Sequence, residues 1–238
     1  MSDAQFQFAA THYDGTQKMT RSDADRLRSY NPAFVVVNYR LGIGLGYRGT
    51  DSGCNPTGGW LGIPEGDDWV REWPGDSNVS ENWFYHWPSG STNRVLNCDW
   101  GWYLMEPDDA SWRAYWAGEV LRQLGANHAD GVFADSFSVP NYLGAWRPAL
   151  PGFDETFESA WARRLRDFIA FAQSGDLAPY HFIPNAGSWV TTRDPTDYSG
   201  ADGVMIEGLG GWGMASYFDL SDWQLQVDRI LGLMRQNK

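Results

Sequence analysis

Only two cysteines, Cys54 and Cys98, and four histidines occur among 238 residues. Two cysteines are too few to imply a disulfide framework, and the expectation is a pair of unpaired thiols acting as small hydrophobes. The histidines are scattered and show no spacing of the H-x-x-x-H kind, so no metal site and no cofactor are expected. Apolar runs are short, none approaching the roughly 18–20 residues needed to span a bilayer. The opening Met-Ser-Asp-Ala-Gln-Phe has neither a basic nor an apolar leader region. The chain as given reads as soluble, and its composition would suit secretion if a signal peptide had been removed. Basic charge is also scarce, with 18 Lys and Arg against 30 Asp and Glu and a net charge of −12. Such a balance repels phosphate backbones and anionic headgroups, so neither nucleic acid nor membrane is an expected partner.

Aromatic residues are abundant instead: 14 Trp, 11 Tyr and 12 Phe. Many of the tryptophans, among them Trp60, Trp69, Trp73, Trp83, Trp87, Trp100, Trp102 and Trp189, fall in segments that otherwise read as loop. A loop Trp offers a flat apolar face with a polar handle, a surface suited to the C–H faces of sugar rings. The competing reading is that about half of them pin long loops to the core.

Strand and helix signals alternate along the chain, which argues for parallel βα units. Candidate strands are Phe6–Tyr13, Ala33–Asn38, Arg94–Asp99, Gly131–Asp135, Tyr180–Asn185 and Gly203–Glu207. Helices are expected after Ser22, over Ala110–Leu124 with Gly125 as the stop, over Glu155–Gln173, and from Ser221 to the C-terminus. The last should bury Val227, Ile230, Leu231 and Met234. Residues 39–93 form a long Gly-, Asn- and Trp-rich stretch, with short helical turns expected near Asp67–Trp73 and Ser80–Tyr85. The expected architecture is a single domain over 1–238, an α/β fold of the (β/α)8 TIM-barrel type with six of its eight units visible. Six units leave sheet edges bare, so an unusual closure or a homo-oligomer is expected.

Two segments share a pattern: Ala129-Asp-Gly-Val-Phe-Ala-Asp135 and Ala201-Asp-Gly-Val-Met-Ile-Glu207. Each ends a short apolar strand on a carboxylate, and in a parallel barrel such residues meet at the C-terminal mouth. Two carboxylates there are the minimal machinery of glycoside hydrolysis. Taken singly, either could equally cap a helix or pair with an arginine. Asp135 is the candidate nucleophile or electrostatic base, and Glu207 the general acid/base. Polar residues at other strand ends, His12, Asp14, Asn38, Tyr39, Asp99 and Asn185, are candidates to bind sugar hydroxyls. Trp100, Trp189 and Trp212 are candidates to stack on a ring.

The succession Asn82-Trp-Phe-Tyr-His-Trp-Pro, Cys98-Asp-Trp-Gly-Trp-Tyr-Leu-Met-Glu-Pro, Ala110-Ser-Trp-Arg-Ala-Tyr-Trp and Asp130-Gly-Val-Phe-Ala-Asp135 resembles the uncharacterised glycosyl hydrolases of the GHL15-like group. More distantly it is similar to the endo-α-1,4-polygalactosaminidase families. The resemblance implies a (β/α)-barrel whose fourth-strand Asp and sixth-strand acid, here Asp135 and Glu207, form the catalytic pair. The expected activity is hydrolysis of glycosidic bonds in an oligo- or polysaccharide. Two rivals remain: a non-catalytic carbohydrate-binding barrel, and a barrel enzyme of another class whose Gly208-Leu-Gly-Gly-Trp-Gly213 loop would cradle phosphate.

Overall fold

The computed structural model describes residues 1–46, 49–58, 63–65, 68–70, 78–152, 154–187, 194–210 and 219–236, without the side chains of 63–65, 68–70 and 142. Its first element corrects the expected strand over Phe6–Tyr13: Asp3–His12 is a helix, α1. Ser2 and Gln5 form a reciprocal capping box, and the apolar residues that matter are spaced by four. Phe6 is 2% exposed and Ala10 fully buried, whereas Phe8, which would share a strand face with Phe6, is 55% exposed. The local stop and start signals outweighed the apparent alternation.

Four parallel strands follow, each separated from the next by helix: β1 (Gly15–Gln17), β2 (Val35–Leu41), β3 (Gly131–Asp135) and β4 (His181–Pro184). They lie side by side in chain order, with Thr16 opposite Val36, Tyr39 opposite Phe133, and Phe133 opposite Ile183. The expected sixth strand is represented by one parallel bridge, Asn185 to Met205. Among the described residues this sheet is open.

Helix α2 (Arg21–Tyr30) is capped by Thr20, two residues before the expected Ser22. Helix α3 (Ala110–Asn127) starts at the Asp109 cap and runs through Gly125, ending on His128 in a left-handed conformation. His128 is held there by Asp25 at its ring and Arg28 at its carbonyl, so the stop is tertiary rather than local. Helix α4 (Glu155–Ala172) is capped by Asp154 as its pattern suggests. Helix α5 (Leu220–Met234) is capped by Asp219. Its expected buried face is found only in part: Val227 and Ile230 are half-buried, Leu231 and Met234 are exposed, and Gln226 is its one fully buried residue among those described.

The core lies between the sheet and α3 with α4. Trp116 donates its indole N–H to the Leu41 carbonyl at 2.9 Å and packs edge-on to Phe168 and Phe182. Burying side chains of this size contributes roughly 1.5–3 kcal/mol each.

Residues 94–99 do not join the parallel sheet. Leu96–Asn97 belongs instead to a second, antiparallel sheet, in the order Trp146–Arg147, Leu96–Asn97, Tyr103–Leu104, Gly44–Leu45. The long insert also forms two hairpins, Gly49–Thr50 with Pro56–Thr57 and Ile63–Glu65 with Asp68–Val70. The second replaces the helical turn expected near Asp67, while the turn near Ser80 is present as a 3-10 helix over Glu81–Trp83.

The expectation of unpaired thiols is overturned: Cys54 and Cys98 form a disulfide across 44 residues, with Cα atoms 4.9 Å apart. It ties the first hairpin to the antiparallel sheet, a proximity that sequence spacing does not reveal.

Three of the four loop tryptophans that can be placed pack against the core, Trp87 half-buried against Phe157, while Trp100 is exposed. Trp83 and Trp102 are buried, as are the helical Trp112, Trp116 and Trp161. The W-F and W-x-x-Y motifs meet where Trp83 packs on Trp112 and Tyr115. Trp60, Trp73, Trp189 and Trp212, and the side chain of Trp69, lie outside the described residues.

Candidate active site

The repeated Ala-Asp-Gly entry sets the depth at which both strand-end carboxylates emerge. Asp130 donates its N–H to the Val36 carbonyl, and its side chain accepts the Val36 N–H at 2.7 Å. Asp202 treats Phe182 in the same way, accepting its N–H at 2.8 Å. Each aspartate therefore locks its segment in register with the preceding strand. Arg28 pairs with Asp130 at 2.6 Å, and Gln173 donates to Asp202 at 2.6 Å. In the first entry the following glycine allows close approach: a Cβ on Gly131 would stand 2.3 Å from the His181 carbonyl oxygen, whereas one on Gly203 would meet only Ile183, at 3.9 Å. Five residues beyond each aspartate come Asp135 and Glu207.

At that end Asn185 joins the two. Its Nδ2 donates to Asp135 Oδ1 at 2.7 Å and to Glu207 Oε1 at 3.0 Å, while its Oδ1 accepts the Gly187 N–H at 3.0 Å. The Gly187 contact fixes which side of the amide is nitrogen. Because one atom touches both carboxylates, their nearest oxygens stand at most about 5.7 Å apart, the sum of the two lengths. Asp135 Oδ2 also accepts the Tyr39 hydroxyl. Tyr39 stacks on Phe133, and Lys18 Nζ lies 3.7 Å from its ring centroid. The Gln17 side-chain oxygen Oε1 is buried and without a hydrogen-bond partner among the described residues.

Just past Asp135, Ser136 takes a φ of 53°, a strained choice for a residue other than glycine. The turn it makes is held from behind. Phe137 donates its N–H to the Asn185 carbonyl at 2.9 Å, and the Phe137 carbonyl lies 2.9 Å from the Tyr198 hydroxyl. That hydroxyl is also 2.6 Å from Asp194 Oδ2. Burial pushes the Asp194 carboxyl above its usual range and Tyr198 well above its own.

Of the other candidates from sequence, His12 ends α1, and Asp14 sits where β1 begins, its carbonyl accepting the Val35 N–H. Asp14 is therefore at the opposite end of the sheet from Asp135. Asn38 points to the helical face, where its Oδ1 accepts from Asn127 of α3 at 3.3 Å. Asp99 accepts the Ala145 N–H at 2.8 Å in a tight turn of the antiparallel sheet. Trp100 is 56% exposed. Lys18 and Gln17 were missed because β1 was misplaced; with β1 at Gly15–Gln17, its exit points to both.

Among the described residues, no group of three or more His, Cys, Asp or Glu side chains could hold a metal ion, and no helix is long and apolar enough to cross a membrane. No curated protein matches the chain. A family model does, over residues 28–238, a span that holds β2, β3, β4 and both strand-end carboxylates. The chain thus belongs to hypothetical glycosyl hydrolase family 15 (GHL15).

Proposed function

We propose that the protein is a retaining glycoside hydrolase acting on an oligo- or polysaccharide. The observation that carries the reading is the single Asn185 amide shared by Asp135 and Glu207. Retaining enzymes place their carboxyl groups about 5–5.5 Å apart, and inverting enzymes about 6.5–9.5 Å, to admit a water. The ceiling of about 5.7 Å set by the two hydrogen bonds favours the first class. The parallel strands in chain order, each separated by helix, with both acids at their C-terminal ends, support a (β/α)-barrel frame for this chemistry.

Asp135 is the nucleophile in this reading, because Asn185 and Tyr39 hold both of its oxygens in place. One oxygen attacks the anomeric carbon while Glu207 gives its proton to the leaving oxygen, and a glycosyl ester forms on Asp135. Glu207 then takes a proton from water, which attacks the same carbon and releases Asp135 as the carboxylate. The longer glutamate, with one fixed donor, has the reach to serve both steps. In this reading Lys18 and Gln17, at the exit of β1, and Tyr39, bonded to Asp135, bind hydroxyl or acidic groups of the sugar.

The test is a screen on amino-sugar and neutral polysaccharides, with the anomer first released read by proton NMR. Retained configuration is expected. Asp135→Asn and Glu207→Gln should each lower kcat about 10²-fold or more with little change in folding. Inverted product would sink the stereochemical reading. Cleavage undiminished in both variants would remove the catalytic one.

A further inference from the structure

A groove of about 940 Å³ opens on the outer face of the antiparallel sheet, apart from the strand ends that carry Asp135 and Glu207. Its floor is a cross-strand row, Arg147 opposite Leu96 and Leu96 opposite Tyr103. One wall is the Cys54–Pro56 segment, anchored by the disulfide to Cys98. The other includes His86 and Arg94, both bonded to Glu81.

The charge of this groove runs against that of the molecule. In a chain of net charge −12, two arginines and a histidine face a single glutamate among the described residues that line it. Glu81 is already committed, to Arg94 Nε at 2.9 Å and His86 Nε2 at 3.0 Å. Among the described residues Arg147 has no such partner. Its Nη1 donates to the Asn55 side chain at 2.6 Å and the Gly53 carbonyl at 3.1 Å, both neutral acceptors. Its Nη2 and Nε make no hydrogen bond among the described residues. Asp51 lies close enough to feel Arg147, but its oxygens are occupied by Gly53 and Asn55, and it makes no ion pair with it. The guanidinium is thus held at one nitrogen, with its remaining edge open to an anion. Beside it lies the half-buried Tyr103, whose ring can take the apolar face of a sugar.

We infer that this groove is an accessory binding site for an anionic saccharide, whose carboxylate or sulfate is taken by the free edge of Arg147 and whose ring lies along Tyr103. The site needs no catalysis and stands apart from the role given to Asp135 and Glu207. Its use is to hold an acidic chain on the protein while another part of that chain is elsewhere on the molecule.

The experiment is calorimetric titration of the full chain with three probes: an oligogalacturonide, a heparin-derived oligosaccharide and a neutral cello-oligosaccharide. An anionic probe is expected to bind more weakly as salt rises. Arg147→Ala should raise its Kd at least about 10-fold, a loss near 1.4 kcal/mol. Arg147→Gln retains a donor for the Gly53 carbonyl and should show the same loss, which separates charge from hairpin disorder. Tyr103→Leu should weaken binding in a protein that melts normally. Asp135→Asn should bind as the wild type does. Uronate-only or sulfate-only binding names the anionic group. Binding of no anionic probe, equal binding of the neutral chain, or unchanged Kd in both Arg147 variants would overturn the proposal.

Discussion

At Tyr198 a single hydroxyl hydrogen faces two acceptors, the Phe137 carbonyl at 2.9 Å and Asp194 Oδ2 at 2.6 Å. One proton cannot serve both. A neutral Asp194 resolves the count, since its own O–H donates to Tyr198 and Tyr198 donates to Phe137, holding the turn behind Asp135. Full burial acts in the same direction, pushing this carboxyl above the usual range. An acid raised in the folded state binds more protons than it does unfolded between those two pKa values. Its stabilising share is therefore complete below the ordinary aspartate range and is lost as pH rises through the raised value. Asp194→Asn tests this, because the amide can donate to Tyr198 while its oxygen keeps the Thr196 N–H, now at 2.9 Å. Only the Val139 N–H, 3.4 Å from Oδ2, would be opposed. Thermal melts should place the variant within about 1 kcal/mol of wild type at neutral pH and remove part of the wild type's decline with rising pH. A loss of about 2 kcal/mol or more at every pH would mean that Asp194 is ionised.

Among the elements, the two Ala-Asp-Gly entries do the same work at different strands. Replacing Asp130 or Asp202 by Ala leaves the N–H of Val36 or Phe182 without its side-chain partner. An unpaired buried donor costs about 1–3 kcal/mol, so each variant should melt correspondingly lower. Asp130→Ala should be the worse, since it also frees Arg28; chemical denaturation would measure the difference, and stabilities equal to wild type would refute the register role. These entries were legible in sequence because strand, turn and carboxylate are contiguous. The same holds for α3, α4, β3 and β4, whose caps and apolar spacing are local. Contacts between distant segments were not legible. Nothing near Cys54 points to Cys98, nothing in 94–99 distinguishes an antiparallel partner from a parallel one, and His128 ends α3 only because Asp25 and Arg28 meet it. The bridging role of Asn185 was equally hidden, since its polar strand-end character is shared by Asn38, which faces the opposite way.

For the molecule as a whole, the charges set opposing slopes of stability against pH. Asp3, Glu81 and Asp197 are held below the usual carboxylate range by hydrogen bonds from Arg26, Arg94 and Ser199 respectively. Groups of this kind stabilise the fold above the ordinary range and lose that contribution as pH falls through their lowered values. Asp194 and Glu106 are raised by burial and act in the other direction, their contribution fading as pH rises. A net charge of −12 adds self-repulsion at neutral pH, which eases toward the pI near 4.6. The two slopes cross at weakly acidic pH, just above the carboxylate range of about 4, and melting temperature should peak there. Added sodium chloride screens the repulsion, so it should raise the melting temperature more at pH about 7.5 than near the peak. Scanning calorimetry on dilute protein across pH, with and without salt, reads both effects. A melting temperature that climbs steadily to alkaline pH, or that salt lowers at neutral pH, would show that specific ion pairs outweigh both burial of the raised acids and the excess of negative charge.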